Sequence, residues 1–193
     1  MESSETQLLV AQNEDVVCIK VSGRANVRTS VPFKSLMEKM RAKQIINFIL
    51  ELENCLLMDS TFLGVLANQA FELVEDRDPP GSIQLLNPNE RVLDLLDNLG
   101  VLDLFSVQRD TSFDQKKFEA ISENLETGTK TEMTETSLNA HRALIALNPA
   151  NRAKFQDVTN FLEEELKRQK EKEEEENNSC FPPDHQGRTG ARR

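Results

Sequence analysis

The sequence predicts an α/β domain, with a mixed sheet of four to five strands flanked by helices, and a helical C-terminal extension. Over residues 7–107, segments with the apolar pattern of strands alternate with helical segments in the order β-β-α-β-α-β-α-β. This order is typical of layered α/β folds with right-handed crossovers. After Gln108 the chain becomes polar, and an apolar stripe at helical spacing returns near the C-terminus.

Strands are predicted where short apolar segments are bounded by polar residues: residues 7–11, 16–21, 45–52, 82–86 and 104–107. The polar residues Asn13-Glu14-Asp15 lie between the first two segments, which predicts a hairpin. The segment 45–52 is almost continuously apolar. Such a run is typical of a strand that is covered on both faces, as parallel sheets require.

Three helices are predicted between these strands. The first begins near Ser30, with Pro32 in its first turn, and the second covers residues 59–77. The third has Asn87 as its N-cap, and Gly100 lies where a helix often ends in a left-handed residue. Apolar residues recur at helical spacing in all three, so each is expected to bury one face.

The chain after the predicted α/β domain divides by composition. We predict four parts: a domain over residues 1–110, a polar linker over 111–136, a helical extension over 137–176 and a disordered tail over 177–193. Within the linker, residues 118–125 are a candidate short helix. The extension is predicted to hold two helices, over 137–147 and 149–176.

The last predicted helix carries an apolar stripe formed by Phe155, Val158, Phe161, Leu162 and Leu166. We expect this stripe to pack within the chain, as a helical hairpin with Leu144 and Leu147, or in a homodimer formed through the C-terminal helices. An exposed stripe of this size would promote association. The alternative is that it presents an apolar face to a partner protein.

Charge and composition exclude several classes of function. The net charge of −10 would repel the phosphates of nucleic acids and the surface of anionic membranes. The chain has neither a signal-peptide pattern nor an apolar run near the roughly 20 residues that span a bilayer. With three cysteines at unpaired spacing, a cytoplasmic location is predicted.

Catalytic and metal-binding patterns are missing from the sequence. His141 and His185 are far apart and have no cysteines at zinc spacing, and His141 is interpreted as a half-exposed helix residue. There is no serine-hydrolase elbow and no glycine-rich phosphate loop. We therefore predict no enzyme activity, no cofactor and no metal.

The most informative segment is residues 58–66, between a buried strand and an apolar helix. Asp59 and Ser60 precede the apolar helical pattern, and residues of these types are common helix caps. The alternative interpretation is a phosphorylation site, because the unpaired N–H groups and the positive end of the helix dipole gather at this position. Phosphorylation would add roughly −1.5 to −2 charge beside Asp59. Both interpretations remain open on the pattern alone.

The segment Asp59-Ser60-Thr61-Phe62-Leu63-Gly64 resembles the signature of the STAS domain family, and more narrowly that of bacterial anti-sigma-factor antagonists. The β-β start and Gly23 also match, so the resemblance covers about residues 5–108. The chain departs from the family pattern twice: Phe62 replaces a Gly, and Asn26 replaces an Asp.

The resemblance implies phosphorylation-controlled binding to a partner protein. Ser60 would be the phospho-acceptor, with Thr61 as second choice. The partner-binding residues would be Asp59, Ser60, Thr61, Phe62 and Gly64, with Gly64 allowing close helix packing. The implied partners are a Ser/Thr kinase of the anti-sigma-factor type and a protein phosphatase. The alternative is a constitutive STAS scaffold or oligomerisation subunit that phosphorylation does not switch.

Overall fold

The computed structural model of the protein describes residues 6–13, 15–75, 79–109, 119–120 and 127–179. These residues contain seven strands: β1 (Gln7–Asn13), β2 (Val16–Ala25), β3 (Asn47–Glu51), β4 (Cys55–Met58), β5 (Ser82–Leu86), β6 (Ser106–Gln108) and β7 (Glu119–Ala120). They also contain five α-helices: α1 (Val27–Ala42), α2 (Ser60–Glu75), α3 (Glu90–Asn98), α4 (Lys130–Leu147) and α5 (Arg152–Ser179). The predicted fold class is confirmed.

The strands form one mixed sheet in the order β6-β5-β3-β2-β1-β7, with β4 pairing with the end of β2. The predicted hairpin is present, because β1 and β2 pair antiparallel. Strands β2, β3, β5 and β6 are parallel to one another. The sheet has two strands more than predicted, β4 and β7. These strands have only four and two residues, too few to show the alternating apolar pattern that would predict them.

One face of the sheet packs against α1 and α2 and contributes to the hydrophobic core. Phe48 and Leu50 of β3 are buried on this face and belong to the same cluster as residues of α1 and α2. On the opposite face Ile49 is only half-buried, and Lys20 pairs with Glu51 across β2 and β3 at 3.1 Å. Glu51 is nevertheless buried, so the prediction that this strand is covered on both faces holds only in part for its second face.

Two helix starts differ from the prediction. Helix α1 begins at Val27 rather than near Ser30, because Asn26 caps it in a reciprocal capping box with Thr29, and Pro32 lies inside the helix. Helix α3 is capped by Asn89 rather than Asn87; the Asn89 side chain accepts a hydrogen bond from the Val92 N–H. The predicted left-handed Gly100 is confirmed, with φ 67°.

The C-terminal extension forms the predicted helical hairpin. Helix α4 begins at Lys130 rather than Ser137, and α5 follows a single 3-10 turn over Pro149–Asn151. Residues 119–120 pair with β1 as a strand, so the candidate short helix over residues 118–125 is wrong at these two residues. The rest of residues 110–126 and the tail from 180 onwards lie outside the described residues, and the division into domains remains a prediction.

The hairpin packs against the α/β core through both of its helices. Ala140 and Leu144 of α4 are buried in the core cluster, and Phe155 of α5 packs against it. The predicted packing of the stripe within the chain is thus confirmed for Phe155, whereas Phe161 is 61% exposed. Of the helices in the described ranges, none has the length and apolarity needed to cross a membrane.

Candidate functional site

Asp59 joins the N-termini of two helices. Its Oδ1 accepts a hydrogen bond of 2.8 Å from the Phe62 N–H in the first turn of α2, and its Oδ2 accepts one of 3.1 Å from Val27 N–H at the start of α1. Both helices begin with unpaired N–H groups and a partial positive charge. One carboxylate therefore satisfies donors of both helices, and Asp59, not Ser60, is the cap of α2.

Ser60 is the first residue of α2 and is half-buried. Its Oγ lies 2.9 Å from Nε2 of His141 in α4. The other ring nitrogen, Nδ1, lies 2.7 Å from the Ser137 carbonyl oxygen, which can only accept a hydrogen bond. In the neutral ring the proton is therefore assigned to Nδ1, and the Ser60 hydroxyl donates to Nε2.

His141 is a buried residue at the centre of this contact, with only 4% of its surface exposed. Its ring packs on Phe155 with ring centroids 4.9 Å apart. Burial lowers the pKa of His141, although the hydrogen bond to the Ser137 carbonyl and the negative charge of Asp59 act in the opposite direction. The interpretation of His141 as a half-exposed helix residue is wrong.

Two further contacts join the start of α2 to α4. The Thr61 Oγ1 lies 2.9 Å from the Ser137 Oγ, and Thr61 is only 5% exposed. A Cβ atom added at Gly64 would lie 2.5 Å from the Ala140 carbonyl oxygen. The close helix packing expected at Gly64 is therefore present, and the helix that approaches it is α4.

We call the surface formed by Ser60, Thr61 and Gly64 the Ser60 face. It is covered by Ser137, Ala140 and His141 of α4. Beside this contact an open cleft of about 260 Å³ lies between α1, α2 and α4. Its lining is mostly polar and consists of Lys34, Glu38, Val65, Asn68, Gln69, Glu72, Thr136, Asn139 and Ala140.

A family model describes the first part of this fold. The model of the STAS domain matches residues 7–115, more than half of the chain. The chain belongs to the STAS domain family. Its helices α4 and α5 lie after the matched residues, so Ser137, Ala140 and His141 cover the Ser60 face from beyond the range that the family model matches.

Solved structures similar to this STAS protein include an anti-sigma factor antagonist from Mycobacterium paratuberculosis, with 14% identity, coverage of 59% of this chain and 92% of that chain, and a TM-score of 0.47. The unphosphorylated form of the anti-sigma factor antagonist SpoIIAA is 19% identical, with coverage of 56% of this chain and 90% of that chain and a TM-score of 0.47. The phosphorylated form of the Bacillus cell fate determinant SpoIIAA is 18% identical, with coverage of 56% of this chain and 93% of that chain and a TM-score of 0.45. No curated protein matches the chain.

The five residues predicted for partner binding occupy three different places in the STAS domain. Ser60, Thr61 and Gly64 form the Ser60 face. Asp59 lies beneath it, bonded to two helix starts. Phe62 is fully buried against Phe33, with ring centroids 4.9 Å apart, so its side chain supports the site from the core and has no exposed surface in this structure.

Other reactive groups of the STAS domain are shielded from solvent. Cys18 and Cys55 are buried, and burial raises the pKa of each thiol to about 11. Both thiols are therefore protonated and unreactive near neutral pH. Among the residues that the structure describes, no group of three or more His, Cys, Asp or Glu side chains is arranged to hold a metal ion.

Proposed function

We propose that this STAS protein is a phosphorylation-controlled protein-binding module in which Ser60 is the phospho-acceptor. The observation that carries the proposal is that Asp59 and Ser60 have different roles at the start of α2. Because Asp59 caps α2, the Ser60 hydroxyl has no capping role and bonds a side chain outside the STAS domain. The structural interpretation of the motif, a capping serine, therefore does not explain Ser60.

Accessibility favours Ser60 over Thr61 as the acceptor. Ser60 is half-buried, whereas Thr61 is 5% exposed and its hydroxyl pairs with Ser137. A phosphate on Ser60 would add roughly −1.5 to −2 charge beside the Asp59 carboxylate. A partner fitted to the uncharged surface would lose affinity; a loss of about 3 kcal/mol corresponds to roughly a hundredfold.

The partners we propose are a Ser/Thr kinase of the anti-sigma-factor type and a protein phosphatase that removes the phosphate. STAS domains typically act as binding modules rather than enzymes, and the Asp59–Gly64 segment is similar to that of anti-sigma-factor antagonists. The alternative is a constitutive scaffold with the same fold. It differs in one measurable respect, because its Ser60 carries no phosphate under any condition.

The test is mass spectrometry of intact protein and peptides, on chain purified from its source cells under phosphatase inhibition. We expect one phosphate, located on Ser60, whose occupancy changes between growth and stress. The Ser60→Ala variant should lack it, and the matched Thr61→Val variant should retain it. Phosphate on Thr61 would correct the residue, whereas an unmodified protein under all conditions would favour the scaffold.

A further inference from the structure

Helix α4 occupies the surface that the proposed function assigns to a partner. His141, Ser137 and Ala140 face Ser60, Thr61 and Gly64 respectively. All three of these contacts with the Ser60 face are made by one helix, α4, which lies after the residues that the STAS model matches. A partner cannot reach the Ser60 face while α4 is in place.

We propose that the Ser60 face is a helix-binding surface that α4 occupies in cis, so that a partner binds by displacing α4 with a helix of similar chemistry. The proposal rests on the proposed function, because it takes the Ser60 face as the partner site. It adds the kind of partner and the means by which the unengaged protein keeps the site closed.

The shape of the Ser60 face defines the helix that fits it. Gly64 lets the opposing backbone approach so closely that even a methyl group would collide with the Ala140 carbonyl. The partner helix therefore needs a small residue at the crossing point. Small residues of this kind allow helix backbones to pack closely. Next to it, the helix needs a hydrogen-bond acceptor for Ser60, as His141 provides, and a hydroxyl for Thr61, as Ser137 provides.

A phosphoryl group on Ser60 is incompatible with α4 in its closed position. The 2.9 Å between Ser60 Oγ and His141 Nε2 leaves no space for a phosphorus atom and its oxygens. The neutral ring has one N–H, and this already donates to the Ser137 carbonyl. The phosphate would also meet the Asp59 carboxylate, and like charges in contact are destabilising. Phosphorylation is therefore expected to open the α4 contact.

The α4 contact combines apolar and polar side chains. Leu144 of α4 is buried in the core cluster, but Thr61, Gln69, Thr136 and His141 are buried as well. Each of these four polar side chains can bond water when the helices separate, which lowers the cost of opening the contact while the STAS domain stays folded. The polar cleft beside the contact already admits solvent between α1, α2 and α4. Interfaces between domains are in general more polar than cores, and relative motion across them is expected.

The first experiment uses the full chain and a labelled synthetic peptide of residues 130–147. Ala140→Leu places a large side chain against Gly64 and should force α4 off while leaving α2 unchanged. By fluorescence anisotropy, we expect the peptide to bind the Ala140→Leu chain at least tenfold more tightly than the wild-type chain. Ala146→Leu is the matched control, because Ala146 is exposed on the same helix. Equal binding to all three chains would overturn the proposal.

The second experiment follows hydrogen exchange of α4 in purified protein. Ser60→Asp should raise the exchange rate of α4 amides at least tenfold while β2 and β3 stay protected. Ser106→Asp, the same change at an exposed serine of β6, should not. Slower or unchanged α4 exchange in Ser60→Asp would overturn the proposal. If Ala140→Leu also increases exchange in β2 and β3, that variant has lost its fold. The result for Ser60→Asp, which adds no bulk to the core, then decides between the proposal and its rejection.

Neither experiment requires a kinase, so its failure is distinct from failure of the proposed function. If Ser60→Asp releases α4 in vitro but Ser60 is unphosphorylated in cells, the proposal that α4 covers the Ser60 face stands. Phosphorylation is then not what opens it in the cell. A phosphorylated Ser60 in cells, with α4 unchanged in Ser60→Asp, would retain the proposed function and refute the cover.

Discussion

His141 determines how the Ser60 hydroxyl is held. Its neutral ring accepts from Ser60 and donates to the Ser137 carbonyl, and protonation of Nε2 would remove the acceptor. The contact joins residues 81 positions apart, so no local pattern in the sequence announces it. The only signal was the helical spacing of Ser137 and His141, which also fits an ordinary exposed helix face. The acceptor Ser60 could thus be predicted from its motif, but its bonding partner could not.

The lowered pKa of His141 predicts that acid weakens the fold. Burial holds this pKa below 6.5 in the folded chain, whereas the unfolded chain returns to about 6.5. As pH falls below about 6.5, the unfolded state binds a proton that the folded state does not, so the free energy of unfolding decreases. The decrease stops growing once the pH falls below the folded pKa.

The measurement is urea denaturation of wild type and His141→Gln between about pH 7.5 and pH 5.5, a range around the unperturbed histidine pKa. The wild type should lose stability relative to the variant as pH falls, by at most about 1.4 kcal/mol per pH unit. His185 is present in both proteins, so its titration cancels. Parallel pH profiles for the two proteins would contradict the prediction.

At the scale of elements, long apolar segments predict the fold correctly. Very short strands, and helix starts where two sequence signals disagree, are not predicted correctly. Segment 45–52 gave β3 because its apolar run is long enough to be distinctive, whereas the four residues of β4 are too few. The start of α1 was misplaced because Pro32 signals a first turn, while the reciprocal bonds of Asn26 and Thr29 fix the start one turn earlier. Capping geometry depends on side-chain direction, which spacing alone does not specify.

Asp59 predicts a coupling between two elements, α1 and α2. Asp59→Ala removes the cap of α2, which costs about 1 kcal/mol. It also removes the acceptor of the Val27 N–H in α1, whose own cap Asn26 remains, and a lost hydrogen bond of this kind costs about 0.5–1.5 kcal/mol. Loss of the negative charge near two helix dipoles adds about 0.3–1 kcal/mol for each helix. We therefore expect the free energy of unfolding, measured by urea denaturation, to fall by about 2–4 kcal/mol.

The matched control for this change is Asp94→Ala. Asp94 is exposed on α3, and substitutions at such surface positions usually change stability by less than about 0.5 kcal/mol. Asp59→Asn should lie between the two, because the amide keeps one acceptor oxygen. Equal stability of Asp59→Ala and Asp94→Ala would show that the carboxylate does not support both helices.

At the scale of the whole molecule, the Ser60 face and the hairpin form a coupled system. If closure of α4 weakens partner binding, then partner binding must weaken closure by the same free energy. The hairpin is also held at its turn, where Asn148 and Asn151 donate to the Leu99 carbonyl at the end of α3. Release of α4 from α2 is therefore expected to occur with the turn still attached.

Locking α4 shut should protect Ser60 from its kinase. The Thr61 and Ser137 hydroxyl oxygens lie 2.9 Å apart, so these two side chains point toward each other across α2 and α4, as the two halves of a disulfide must. A Thr61→Cys, Ser137→Cys chain, with Cys180→Ser to remove a competing thiol, can be oxidised without involving Cys18 or Cys55, because both are buried. We expect extract from the source cells with ATP to phosphorylate Ser60 in the reduced chain at least tenfold faster than in the oxidised chain.

The same double variant in its reduced form is the control, since the two samples differ only in one covalent bond between α2 and α4. Equal rates in both forms would mean that Ser60 reaches the kinase with α4 in place, and the cis cover would then have no role in signalling. Absence of phosphate in both forms would instead count against Ser60 as the acceptor. A rate that rises on reduction ties the chemistry of one hydroxyl to the position of α4, a helix that lies after the residues 7–115 matched by the STAS domain model.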